Sequence, residues 1–210
     1  MDNQLQYISQ GNTVEEQLHN IHKALDTGCD WIQLRFKIQN TLAVFTLAEA
    51  VKIVCKEYLA TFIINDNVQL AKQLDTDGVH LGLSDMKVEE ARLILGKTKI
   101  IGGTANTFED VLQRTTEKCD YIGLGPFQFT ATKQNLSPIL GLEGYRSIIK
   151  QMKIKNIQIP IYAIGGITLE NIQDLMETGI HGIAVSGLIT LRKNPSQLIT
   201  QLNDKLYGTL

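Results

Sequence analysis

No run of the chain approaches the ~18 consecutive apolar residues that a membrane span needs. The opening MDNQLQYISQ has neither a basic start nor the apolar stretch of a secretion signal, so a cytoplasmic setting is the expectation. A surplus of one charge is missing too. Lys and Arg number 20 against 22 Asp and Glu, a formal net charge of -2, which offers no basic face to nucleic acid or to an anionic membrane. Cysteine is sparse: Cys29, Cys55 and Cys119 are odd in number and far apart, with no CxxC or Cys/His spacing suited to zinc. They read as small, reduced core residues. No linker, low-complexity tract or charge block divides the chain, and 210 residues leave no room for a second full domain. One domain over 1–210 is expected.

What is present is an alternation. Short runs rich in Val, Ile, Leu and Tyr recur at 5–9, 31–37, 61–66, 78–82, 99–104, 121–126, 159–166 and 182–187, each followed by a helical pattern. That is the mark of βα units on a parallel sheet. The helical period shows in Leu42, Val44, Phe45, Leu47 and Ala48 running on to Val51, Ile53 and Val54. Helix starts are marked as well, where Thr13 precedes Glu16, Thr107 precedes Asp110 and Thr168 precedes Asn171. Eight units predict an α/β fold closed as a (β/α)8 TIM barrel, and the length sits near the lower limit of that fold, roughly 200 residues. An open doubly wound sheet is the alternative. It usually shows phosphate glycines after its first strand, and here the first strand ends Ile8-Ser9-Gln10-Gly11, which is no GxGxxG.

In such barrels the chemistry sits at the C-terminal ends of the strands. The second strand ends Gln33-Leu34-Arg35-Phe36-Lys37, and alternation along a strand puts Gln33, Arg35 and Lys37 on one face. An amide and two cations suit a multiply charged anion; solvated rim charges are the plainer account. The third strand ends in Asn65-Asp66 and the fourth is followed by Ser84-Asp85. Two carboxylates at adjacent strand ends suit a hard cation such as Mg²⁺, completed by substrate phosphate and water. Alternatively, each Asp merely caps the next helix. His80, in an apolar strand, reads as a hydrogen-bonded core residue before it reads as a general base. His19 and His22 have no partner spaced to complete a metal set and read as solvated helix residues.

The fifth strand runs out through Gly102-Gly103-Thr104-Ala105-Asn106, and the sixth, Gly123-Leu124-Gly125-Pro126, precedes a long loop, 127–141. Thr130, Ala131, Thr132 and Lys133 in that loop offer hydroxyls, amides and one ammonium to a phosphate. Gly165-Gly166-Ile167 and Val185-Ser186-Gly187 each precede a helix, a turn that lets backbone N–H groups approach an anion. Together these features predict two anion sites at one end of the barrel, one for a diphosphate with a divalent cation and one for a monophosphate.

The ordered set Gln33-Leu34-Arg35-x-Lys37, Ile64-Asn65-Asp66, Gly78-Val79-His80-Leu81-Gly82-x-x-Asp85, Gly123-x-Gly125-Pro126 with Thr130-x-Thr132-Lys133, and Ala163-Ile164-Gly165-Gly166-Ile167 resembles the thiamine-phosphate synthase family. The resemblance covers most of the chain. It implies that Gln33, Arg35, Lys37, Asn65, Thr104 and Lys133 hold the diphosphate of 4-amino-5-hydroxymethyl-2-methylpyrimidine diphosphate, and that Asp66 and Asp85 bind Mg²⁺. It also implies that Thr130, Ala131, Thr132, Gly166, Val185 and Ser186 surround a thiazole phosphate. Arg35, Lys37 and Lys133 would carry the catalysis, which joins the two substrates to thiamine phosphate and releases pyrophosphate. Expected partners are these small molecules, with no nucleic acid and no membrane; a homo-oligomer stays open.

Three positions depart from the family, which usually has Glu at Phe36, Ser at Thr104 and His at Asn106. Thr104 keeps the hydroxyl, Phe36 is expected to act on helix packing, and Asn106 keeps a donor but cannot transfer a proton. The alternatives are a thiazole tautomerase, whose proton shift calls for a histidine where Asn106 stands, a non-catalytic thiamine-precursor binding protein, and another phosphate-binding barrel such as an isomerase of amino-acid biosynthesis.

Overall fold

The computed structural model describes residues 3–130, 138–192 and 195–208. Eight parallel strands, β1 (Leu5–Ile8), β2 (Trp31–Leu34), β3 (Thr61–Asn65), β4 (Gly78–Leu81), β5 (Ile100–Ala105), β6 (Tyr121–Leu124), β7 (Ile161–Ile164) and β8 (Gly182–Val185), close into a barrel. Each pairs with the next, and β8 returns to β1. Around them lie α1 (Val14–Asp26), α2 (Thr41–Glu57), α3 (Val68–Gln73), α4 (Val88–Leu95), α5 (Phe108–Thr116), α6 (Gly141–Ile154), α7 (Ile172–Glu177), α8 (Gly187–Thr190) and α9 (Pro195–Tyr207). The predicted (β/α)8 barrel is therefore the fold. No described helix is long and apolar enough to cross a membrane.

The three expected threonine caps are in place. Thr13 Oγ1 accepts from the N–H of Glu16, Thr107 forms a capping box with Asp110, and Thr168 forms one with Asn171. Each satisfies N–H groups that a helix start leaves unpaired. Thr168, however, opens a 3-10 turn (Leu169–Asn171) that leads into α7.

Alternation along each strand separates two cores. Ile32, Leu34, Phe62, Ile64, Val79, Leu81, Ile101, Ile122, Leu124, Ala163 and Ile183 pack outward against the helices. Inside the barrel, Trp31, Tyr121 and Tyr162 meet edge to face at 4.8 to 5.6 Å between centroids, with Ile63 and Ala184 beside them. Such pairs add about 0.5–1.5 kcal/mol each beyond their burial, and this layer floors the barrel mouth. Cys29, Cys55 and Cys119 are unpaired and buried, as expected, and burial pushes each thiol up to about 12.

The second strand is shorter than its sequence pattern. The ladder ends with Leu34 opposite Ile64, while β3 runs one residue further, to Asn65 opposite His80, before Asp66 turns into the left-handed region at φ 64. Arg35 and Lys37 consequently lie beyond the strand, so strand alternation does not place them on the face of Gln33.

Candidate active site

The strand ends of β2 to β5 gather most of the residues singled out for the diphosphate. Gln33 faces inward, 2% exposed, and its Nε2 donates to Asn65 Oδ1 at 2.8 Å. Arg35 is anchored through its backbone, with the N–H on Ser9 Oγ (2.8 Å) and the carbonyl on Gln17 Nε2 (3.3 Å). Its guanidinium has no ion-pair partner among the described residues. Lys37 reaches across to Asp66, Nζ to Oδ2 2.5 Å. Phe36, between them, is buried in the outer core, where it lines a cleft of about 520 Å³ between α2 and α3. Its role is packing, as its place in the sequence predicts.

Neither aspartate caps a helix. Asn67 caps α3, its Oδ1 accepting from Leu70 N–H, and Lys87 precedes α4 without a side-chain cap. Asp85 instead turns back on its own loop, Oδ2 accepting from Gly82 N–H at 2.6 Å. Its carboxyl is held above the usual range by burial first, and then by its contact with Asp66. The two carboxylates, Asp66 paired with Lys37 and Asp85 accepting from Gly82 N–H, meet each other and so bring oxygen ligands side by side. That donor set fits a hard cation such as Mg²⁺, which usually takes one or two carboxylates and completes its shell with phosphate and water. Among the described residues no group of three or more His, Cys, Asp or Glu could hold a metal alone.

His80 is a satisfied interior histidine. Its Nδ1 lies 2.9 Å from Tyr121 Oη and its Nε2 3.0 Å from Thr104 Oγ1. His19 and His22 are exposed on α1. Asn106 donates through Nδ2 to the carbonyl of Gly125, tying the end of β5 to the end of β6.

Sequence reasoning missed Arg114. Three per cent exposed, it reaches from α5 to the strand ends, donating to Thr104 O (3.0 Å), Gly82 O (2.9 Å) and Glu117 Oε2 (2.8 Å). One buried cation thus holds both the turn that positions Asp85 and the backbone that carries Thr104. The signal was in Gly102-Gly103. A Cβ on Gly102 would lie 2.1 Å from the Tyr121 ring inside the barrel, and one on Gly103 would lie 2.7 Å from Arg114 Cδ outside it. These glycines make room for side chains on both faces of β5.

On the opposite side of the mouth, the chain after β6 lies along the end of β7. Phe127 N–H donates to Ile164 O (2.8 Å) and Gln128 N–H to Gly165 O (3.0 Å). Gly166 has φ 70, and a Cβ there would stand 2.7 Å from Phe129 O, so both conformation and space call for glycine. Thr130 is half-buried at the edge of this turn, while Ala131, Thr132 and Lys133 lie outside the described residues. Val185 sends its side chain into the outer core, which leaves its backbone for the mouth. Ser186 donates from Oγ to Gln10 Oε1 at 3.2 Å. The helices expected after these turns are a 3-10 turn leading to six-residue α7 and four-residue α8. A macrodipole is a sum over aligned peptides, so an anion here would depend mainly on individual N–H groups.

The closed parallel barrel, with its polar groups collected at the C-terminal strand ends, defines a (β/α)8-barrel enzyme. Comparison narrows the class. Residues 5–189 match the profile of the family described as thiamine monophosphate synthase, and the chain belongs to that family. It is 72% identical over 206 residues to the thiamine-phosphate synthase of Flavobacterium psychrophilum, covering 98% of this chain and 100% of the relative. Against the thiamine-phosphate synthase of Flavobacterium johnsoniae it is 64% identical over 210 residues, 100% of this chain and 99% of the relative. A solved structure, the thiamine phosphate pyrophosphorylase from Pyrococcus furiosus, superposes with a TM-score of 0.83 at 29% identity, covering 97% of this chain and 95% of that one.

Proposed function

We propose that this chain condenses 4-amino-5-hydroxymethyl-2-methylpyrimidine diphosphate with thiazole phosphate, giving thiamine phosphate and pyrophosphate. The observation that carries the reading is the convergence of Gln33, Lys37, Asn65, Asp66, Asp85 and Thr104 at one barrel mouth in a chain of this family.

The bond that breaks joins the pyrimidine methylene carbon to a diphosphate oxygen, and the electron pair leaves with pyrophosphate. The aminopyrimidine ring delocalises the positive charge left on carbon, and the thiazole nitrogen then forms the new C–N bond. No protein nucleophile is needed. The protein's part is to stabilise charge growing on the departing oxygens and to hold two substrates in line. Arg35 and Lys37 supply positive charge, Asn65 and Thr104 supply neutral donors, and Lys133, outside the described residues, is assigned a further positive charge for the diphosphate. Gln33 Nε2 donates to Asn65 Oδ1 and so fixes the Asn65 amide with its Nδ2 left to donate to an anion. Asp66 and Asp85 would hold Mg²⁺, which supplies further charge neutralisation to the diphosphate when bound. Thr130, Ala131, Thr132, Gly166, Val185 and Ser186 are assigned to the thiazole phosphate. Its setting is the cytoplasm, in keeping with three unpaired cysteines.

A tautomerase would need a proton-transfer group after β5. Asn106, whose amide is committed to Gly125 O, is not one. The test is incubation of the protein with both substrates and Mg²⁺, with and without EDTA, following thiamine phosphate as its fluorescent thiochrome derivative. Product that disappears with chelator is expected. Folded protein that titrates both substrates but makes no product would establish a binding protein and end the synthase reading.

A further inference from the structure

We propose that His80 is a positioning residue: through a buried relay beginning at Gln6, it holds Thr104 with the hydroxyl proton turned to the barrel mouth, as a donor to a diphosphate oxygen. The inference rests on the synthase reading for its ligand and on geometry for the relay.

Gln6 is 1% exposed, and its Nε2 donates to Tyr121 Oη at 3.1 Å. An amide nitrogen donates and cannot accept. Tyr121 Oη therefore receives that bond, and its single proton is directed to its other neighbour, His80 Nδ1, at 2.9 Å. Nδ1 must then be unprotonated, so the neutral ring carries its proton on Nε2, 3.0 Å from Thr104 Oγ1. Oγ1 accepts a hydrogen bond from that N–H, and the hydroxyl's own hydrogen is left to point elsewhere. Thr104 is the inward-facing residue next to the end of β5, so the open direction is the mouth. Burial raises the Tyr121 hydroxyl far above its ordinary value, which keeps it a donor throughout the working range of pH.

The barrel is shaped around this relay. Gly102 leaves space for the Tyr121 ring, and a Cβ on Gly123 would lie 3.1 Å from His80 Cε1. Turning the Gln6 amide over would reverse every donor and present Thr104 lone pairs to an anion, which is repulsive. The polarity that begins with Gln6 as donor is the one that serves a diphosphate. Thr104 thus acts as a fixed dipole, and His80, which is placed beneath it, orients the donor without touching substrate.

The first measurement needs no turnover. In the ligand-free protein with ¹⁵N-histidine, the resonances absent from His80→Gln are those of His80, and an Nε2–H tautomer is expected. An Nδ1–H tautomer would overturn the relay. The second is a double-mutant cycle read as affinity for inorganic pyrophosphate with Mg²⁺ and as KM for the pyrimidine diphosphate. His80→Leu and Thr104→Val should each weaken both by about tenfold or more, the worth of one hydrogen bond to a charged acceptor. The double variant should be no weaker than either single one. His80→Gln, which can accept from Tyr121 and donate to Thr104, should stay within about threefold of wild type on the same scale. Additive losses would reduce His80 to a packing residue and sink the proposal. Should His80→Leu fail to fold, Tyr121→Phe keeps the ring and removes the donor, and the same loss of pyrophosphate affinity is expected. A wild type that shows the Nε2–H tautomer yet makes no thiamine phosphate would refute the synthase reading and leave the relay standing.

Discussion

Replacing Arg114 with leucine removes three hydrogen bonds at once and fills much of the same space. Thr104 O and Gly82 O lose their shared donor, Gly82 O keeping the Asp85 N–H at 3.3 Å, and the Glu117 carboxylate, 18% exposed, loses its cation. A buried acceptor left unpaired costs about 1–3 kcal/mol, and breaking a buried pair by removing one partner costs about 3–5 kcal/mol. Because Glu117 retains some contact with water, a total of about 3–5 kcal/mol is expected. A native domain has only about 5–15 kcal/mol to lose. With a urea slope near 3 kcal/mol/M, the unfolding midpoint should fall by more than about 1 M. Trp31, the single tryptophan, is 2% exposed in the barrel interior, so its fluorescence reports the transition directly. The consequence for the site is specific. Gly82 N–H holds Asp85 Oδ2, so loosening that turn should raise the Mg²⁺ concentration needed for half-maximal turnover. Arg114→Lys can satisfy one of the three acceptors and should fall between. A midpoint within about 0.3 M of wild type would refute the clamp, being under 1 kcal/mol on the same slope.

Three other outcomes are expected. Asp66→Asn and Asp85→Asn should each lower turnover by about a hundredfold or more, with partial recovery at high Mg²⁺. Asp85→Asn should not lower the melting temperature, since an amide oxygen still accepts from Gly82 N–H and the contact with a second carboxylate loses a charge; full activity at limiting Mg²⁺ would remove the metal assignment. Gly166→Ala meets both a positive φ and a carbonyl 2.7 Å away. It should destabilise by about 1–2 kcal/mol and raise KM for the thiazole phosphate far more than for the diphosphate; equal shifts would count against the assignment. Cys29, Cys55 and Cys119, with thiols pushed up to about 12, should resist DTNB at pH 8 in the native state and react as three thiols after unfolding. Rapid native labelling of any one would contradict its burial.

Local patterns were sufficient for much of this protein. Eight strands, the threonine caps at 13, 107 and 168, the buried cysteines and the interior His80 all followed from periodicity and spacing, because each depends on residues a few positions apart. Other outcomes depended on where distant segments met. Strand alternation predicted a common face for Gln33, Arg35 and Lys37, but β2 leaves the ladder after Leu34, and only the pairing with β3 fixes that point. The two aspartates looked as suited to capping as to cation binding until the adjoining strand ends brought them together and Asn67 took the cap. Arg114 has the sequence signature of a helix-surface residue, and it became a clamp because packing of α5 on β5 buries it against two strand ends. Gln6 and Tyr121 are separated by 115 positions and become neighbours only when the barrel closes. Composition and periodicity therefore determined which elements form and which way their faces turn, both being short-range properties of the backbone. Which polar groups share the mouth, and which proton each presents there, was decided by barrel closure, since hydrogen bonding and charge pairing act over a few ångströms in space, whatever the separation along the chain.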